Sequence, residues 1–348
     1  MKRGWRLAVG GWRGSRTSRD GSLPSTANRQ PPTVWRRFRR SKLATVALAY
    51  VGLMAAIALL APVLANRKPL MQRTAEGWSF PAIADYWVDD PDIELAPQAT
   101  TFALPAPVPF SPNTVDLAIR LRPPGGGHHL GTDDLGRDIL ARLIHGARVS
   151  LAVGFFATAI ALIVGSLLGA LAGYYGGAAD WIVSRVIEVV LCFPFLFLVL
   201  GIVALFKPSI WTIMIALGLT SWTSEARYVR GEFLRIREVE YAQAARASGA
   251  RDGRIIFRHL LPNALAPVLV SASFGVAVAI LTESALSFLG LGVPLPMASW
   301  GSMLSKAHEH IEYAWWLVLF PGLAIFTTVA AFNVVGERVR EALDPRSQ

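Results

Sequence analysis

The sequence predicts an all-α integral membrane protein with six transmembrane helices and a large extracytoplasmic segment between the first two. Three observations carry that expectation. Of 348 residues 53% are hydrophobic and 17% charged, and the mean hydropathy of +0.42 exceeds what a chain with one or two soluble cores requires. Six apolar runs are each long enough, at roughly 1.5 Å per residue, to cross about 30 Å of hydrocarbon. The cations behind the formal charge of +10 sit at the edges of those runs, unlike the continuous basic face of a nucleic-acid binder.

The chain begins with a basic arm, residues 1–42, rich in Arg, Gly and Ser and ending in Trp35-Arg36-Arg37-Phe38-Arg39-Arg40-Ser41-Lys42. It is too polar and cationic to fold alone. Its simplest partner is a surface of anionic lipid headgroups, at about 1 kcal/mol per cation, and not nucleic acid. The run 43–65 lacks a small-x-small cleavage site followed by polar sequence, so it is read as an uncleaved first span.

Residues 66–146 make the extracytoplasmic segment, whose prolines, acids and aromatic residues (Trp78, Phe80, Tyr86, Trp87) suggest an ordered but irregular cap. The remaining spans fall at 149–173, 182–206, 210–228, 266–289 and 314–335, within a transmembrane domain over 147–336. All should be helical, because a lone strand leaves its amides unpaired in lipid. The arm, the loop 229–262 and the tail 337–348 are placed on the cytoplasmic side, since basic residues crowd the arm and that loop while acids outnumber bases in the segment after the first span.

Smaller features are read conservatively. Cys192 stands alone inside an apolar run, which excludes a disulfide framework or thiolate zinc site within this chain and suggests a small buried residue. His128, His129 and His145 lack a fixed third ligand, so no metal is expected. Gly125-Gly126-Gly127 has no preceding strand and reads as linker, and no G-x-x-x-x-G-K-[ST] occurs anywhere. Neither a catalytic site nor a cofactor is expected. Arg185 and Glu188, three apart at the start of the third span, read as a structural pair.

The informative segment runs from Glu240 to Asn263. A short helix of good formers with an Ala-rich face leads to Gly249, which supplies a left-handed stop; Asp252 can cap a second helix, which Pro262 ends before the fifth span. Small side chains admit a partner's backbone, and Arg246, Arg251, Arg254 and Arg258 offer bidentate donors to carboxylates.

Gln243, Ala244, Ala245, Gly249, Leu261 and Pro262 fall in register on the Glu-Ala-Ala…Gly…Ile-x-Leu-Pro signature, and here the chain resembles the binding-protein-dependent permeases of ABC importers. Gln243 replaces the acidic residue, with Glu240 one turn away, and His259 replaces the isoleucine. The stretch 129–138 (HLGTDDLGRD) with 142–148, together with 286–292 and Ser299-Trp300-Gly301, is similar to the dipeptide, oligopeptide and nickel branch, as its second permease. Residues 65–70 and 77–81 are similar to a subset that takes up modified peptides such as microcin C.

The resemblance implies the type I importer permease fold and a bacterial inner-membrane location. It also implies several partners: a second permease subunit in a heterodimer, one or two ABC ATPase subunits, and a periplasmic or lipid-anchored solute-binding protein. The coupling surface would be Glu240, Gln243, Ala244, Ala245, Arg246, Gly249, Asp252, Arg254, Arg258 and Pro262, docked in an ATPase groove. Glu283, the carboxylate deepest in a span, is a candidate for the translocation pathway, against a role in holding the helices together. The competing function is an ion-coupled secondary transporter working without an ATPase.

Overall fold

The computed structural model describes residues 41–74, 77–84, 102–207 and 209–343; most of the basic arm, Tyr86, Trp87 and the end of the tail lie outside them. Helix α1 (Lys42–Leu64) starts at Ser41, whose hydroxyl accepts the Ala44 N–H. After it come strands β1 (Met71–Thr74) and β2 (Gly77–Ser79), the short helix α2 (Pro81–Ala84) and strand β3 (Phe102–Leu104). The strands form an antiparallel sheet of order β2-β1-β3, with Gln72 opposite Ser79 on one side and Ala103 on the other. This sheet corrects the all-α expectation. The alternation in Met71-Gln72-Arg73-Thr74 is too short to stand out among the surrounding prolines and acids.

Helix α3 (Ile139–Tyr175) is 37 residues long, about 55 Å at 1.5 Å per residue, and so outruns a bilayer's hydrocarbon. Its head is fixed by a polar knot built from the 129–138 motif. The Asp138 carboxylate accepts the Ala141 N–H at 2.7 Å and binds His128 Nδ1 at 2.8 Å. Arg137 Nε donates to Asp133 at 2.7 Å, and Arg142 donates to the Pro112 carbonyl. His129 points outward and His145 meets the Ala65 carbonyl, so the three histidines diverge.

Helices α4 (Gly177–Leu191) and α5 (Phe195–Leu205) occupy the stretch expected as one third span at 182–206, as two helices instead of one. They are bent by 86° at the break, where Pro194 can donate no backbone N–H and disfavours a helical Phe193. Cys192, read as buried, is exposed at that bend. Helix α6 (Ile210–Ile236) is capped by Ser209. Helices α7 (Glu240–Ala247) and α8 (Asp252–Arg254), a π-helical stretch Ile255–Leu260, and helices α9 (Leu261–Phe288), α10 (Trp300–Ala307) and α11 (Trp316–Leu343) complete the chain.

Among the described residues four helices, α1, α3, α9 from Val268 and α11, are long and apolar enough to cross a membrane, or five if α4 and α5 are one span. The expected span 210–228 is helical but does not join them. Thr220, Ser221, Thr223, Ser224 and Glu225 dilute its apolar character, and these residues line an internal cavity. Helix α6 instead packs along α3 through glycines. A Cβ on Gly169 would lie 2.4 Å from the Ala226 carbonyl, and one on Gly173 would lie 2.5 Å from Phe233 Cβ. Small residues in register let two backbones approach where lipid gives helices no hydrophobic reason to associate.

Candidate coupling surface and internal cavity

The elbow after α6 is built outward from a buried seam. Ala242 on α7 is fully buried against the cluster of Phe233, Ile236, Ile255 and Leu260, while Tyr241, Gln243, Ala244 and Ala247 face outward. The helix therefore shows its alanines in two directions, one toward its own body and one toward the outside. Glu240 is exposed in its first turn, and the Gln243 amide donates back to the Glu238 carbonyl at 3.0 Å.

Gly249 ends the helix in the left-handed region at φ +77°, and the Ala250 N–H bonds to the Ala245 carbonyl. A Cβ at Gly249 would meet nothing within 4 Å. Conformation and not space requires glycine there.

Asp252 does something the sequence does not advertise. Expected to cap the second helix, it lies inside the first turn of α8 and accepts the Tyr174 hydroxyl at 2.7 Å. The Arg246 guanidinium sits 5.2 Å from the centroid of the Tyr174 ring. The end of α3 is thus tied to both helices of the elbow. Arg251, Arg254 and Arg258 remain exposed along its outer side.

Pro262 does not end a helix as expected. It sits in the first turn of α9, just past the π-helical stretch, where the Leu261 N–H reaches back five residues to Ile256. That widened turn accommodates a residue lacking an N–H and carrying a ring that clashes with the preceding turn. Nearby, Arg230 Nη2 donates to Asp180 at 2.7 Å, and Arg237 donates to the Gly173 carbonyl. These ties between α6, α4 and α3 escaped the sequence reading, as did Tyr174. The Arg185–Glu188 pair forms as read, on an exposed face.

A cavity of about 460 Å³ opens between α3, the α4–α5 bend, α6 and α9. Thr158, Phe193, Phe195, Thr220, Glu225 and Ser271 are among the residues around it. Ser271 Oγ lies 2.7 Å from Glu225 Oε2 and equally 2.7 Å from the Val268 carbonyl.

Glu283 lies elsewhere and is wholly buried. Ser287 Oγ donates to it at 2.6 Å and Ser150 Oγ at 3.4 Å; Ser150 also accepts the Trp300 N–H. Helices α3, α9 and α10 meet at this carboxylate, and it does not line the cavity. The carboxylate the sequence reading passed over is Glu225, hidden by its nearness to the arginines of the loop. The available signal was the run of hydroxyl residues just before it.

Residues 165–348 match the model of a family described as the binding-protein-dependent transport system inner membrane component. The chain belongs to that family. Residues 33–76 match the N-terminal transmembrane domain of oligopeptide transport permease C. The dipeptide transport system permease protein DppC of Alkalihalophilus pseudofirmus is 48% identical over 227 residues, 65% of this chain and 75% of that protein.

The oligopeptide permease OppC of Bacillus subtilis is 40% identical over 234 residues, 67% and 77% of the two chains. A solved chain of the MetNI methionine ABC transporter aligns over 59% of this chain and 98% of its own, at 20% identity and a TM-score of 0.49. This permease is accordingly a transport component that works with ATP-hydrolysing partners, and the solitary ion-coupled transporter is set aside.

Proposed function

We propose that this permease subunit forms half of the translocation pathway of an importer for peptides, with six crossing segments of the type I importer fold. The arm, the elbow 229–262 and the tail face the cytoplasm, and residues 66–146 face the opposite side. A second permease completes the pathway, one or two ATPases grip the elbow, and a solute-binding protein delivers solute from outside. The names of the relatives, dipeptide and oligopeptide permeases, support the solute class.

One observation carries the coupling role: α7 is outwardly exposed yet rooted in the helix bundle through Ala242. Force applied to Gln243, Ala244, Arg254 or Arg258 passes through the buried seam to α6 and through Asp252 to Tyr174 on α3. Those two helices border the cavity, so movement of the ATPases reshapes the space the solute occupies. For Glu283 we favour the role of lock between α3, α9 and α10, with the pathway carried by the cavity. Co-purification tests the reading. The wild-type chain should retain ATPase subunits that a Gly249→Val variant loses, and ATP-independent uptake by the isolated chain in liposomes would refute it.

A further inference from the structure

We infer that Glu225 receives the ammonium group of the solute inside the cavity, an assignment that rests on the peptide-permease reading above. The cavity's volume falls within the roughly 300–1,000 Å³ typical of small-molecule sites, and its wall combines apolar side chains with hydroxyls. Glu225 is the sole carboxylate among the described residues lining it, and no Lys or Arg lines it. Nor does any described Lys or Arg lie within ion-pair distance of Glu225.

Its one hydrogen-bond donor among the described residues, Ser271, has a single proton to divide between Glu225 Oε2 and the Val268 carbonyl, both at 2.7 Å. A carboxylate accepts about four such bonds. An acid held within a span is costly unless it faces a polar cavity or a partner, and Glu225 faces the cavity with no charged partner among the described residues. A cation entering from solution supplies that partner, and the apolar wall strengthens the attraction.

The shape of the site narrows the cation to the ammonium of a small organic solute. Thr158 lines the cavity, and its Oγ1 is buried with no hydrogen-bond partner among the described residues. Phe193 and Phe195 add apolar wall. A metal ion would find only one carboxylate here, too few oxygens for a stable site. A single charge contact also suits a passage, since a solute held at several charged points leaves slowly.

The test uses the complete importer, with its partner permease, ATPases and binding protein, in proteoliposomes. The probe is a mixture of di- and tripeptides with free N-termini, and uptake is read by mass spectrometry per ATP hydrolysed. Relative to wild type, Glu225→Gln should lower that ratio about tenfold, the worth of one charge-assisted hydrogen bond. Glu225→Asp, which keeps the charge, should retain at least about three times the uptake of the Gln variant, since a shorter arm weakens but does not abolish the contact.

Equal uptake by the Asp and Gln variants, whether both transport or both fail, overturns the assignment. If the wild-type importer takes up none of the mixture with ATP, the peptide-permease reading falls first and takes this inference with it.

Discussion

The hydroxyl of Tyr174 donates a 2.7 Å hydrogen bond to the carboxylate of Asp252. These residues lie 78 positions apart, one at the end of α3 and one in the second helix of the elbow. Their bond gives the elbow a grip on α3 in addition to its buried attachment to α6. Tyr174→Phe keeps the ring beneath Arg246 and removes this bond, a loss of about 1 kcal/mol. We expect ATP hydrolysis by the assembled importer to continue while uptake per ATP falls severalfold. Uptake per ATP equal to wild type would show that the bond transmits nothing.

Gly249 offers a test that separates conformation from space. A Cβ there meets nothing within 4 Å, but the backbone holds φ at +77°. Gly249→Ala should cost about 1 kcal/mol locally through the left-handed backbone alone. Gly249→Asn, which tolerates that region better, should hold ATPase subunits more firmly than the Ala variant in co-purification. The reverse order would place the requirement in side-chain size.

The α3–α6 seam predicts a contrast between two glycines. Gly169→Val drives a Cβ into the Ala226 carbonyl, whereas a Cβ at Gly201 on α5 meets nothing within 4 Å. In detergent, thermal unfolding of the first variant should begin several degrees earlier, in keeping with an overpacking penalty of about 1–3 kcal/mol. Gly201→Ala should unfold with the wild type. Equal unfolding of both variants would remove the glycine seam from the account.

Glu283 as a lock makes its own prediction. Glu283→Gln keeps a carbonyl oxygen for Ser287 and should leave both stability and uptake within about twofold. Glu283→Leu strands the hydroxyls of Ser150 and Ser287, at about 1–3 kcal/mol for each unsatisfied group, and should lower the unfolding temperature. A Gln variant that folds normally but imports nothing would return Glu283 to the pathway.

Much of the architecture could be read from hydropathy because an apolar run that must cross lipid has few alternatives. The apolar stretches around 43–65, 149–173, 266–289 and 314–335 all recur as long helices. The exceptions have separate causes. The run 182–206 breaks at Pro194, where the loss of one backbone donor overrides continuous hydrophobicity. The 71–79 hairpin is too short for its alternation to register.

The site was legible where function is local and hidden where it is relational. The Gln243–Gly249 spacing announces the elbow by itself. The partnership of Tyr174 with Asp252 depends on two helices meeting, and Glu225 finds its hydroxyl partner only because α9 brings Ser271 to it. The widened turn before Pro262 was equally hidden, since a π-helical stretch leaves no signature in residue type.

The unbroken length of α3 has one more implication. It runs 37 residues without an internal hinge, from the arginine–aspartate knot at its head to the tyrosine that holds the elbow. Such a rod cannot yield at one end alone, so whatever tilts its foot swings its head through the same arc. The bent pair α4–α5 beside it carries the joint that the rod lacks. News of nucleotide arriving below and of cargo arriving above would then travel along one stiff beam, and the slack needed to let cargo through would be taken up by its jointed neighbour.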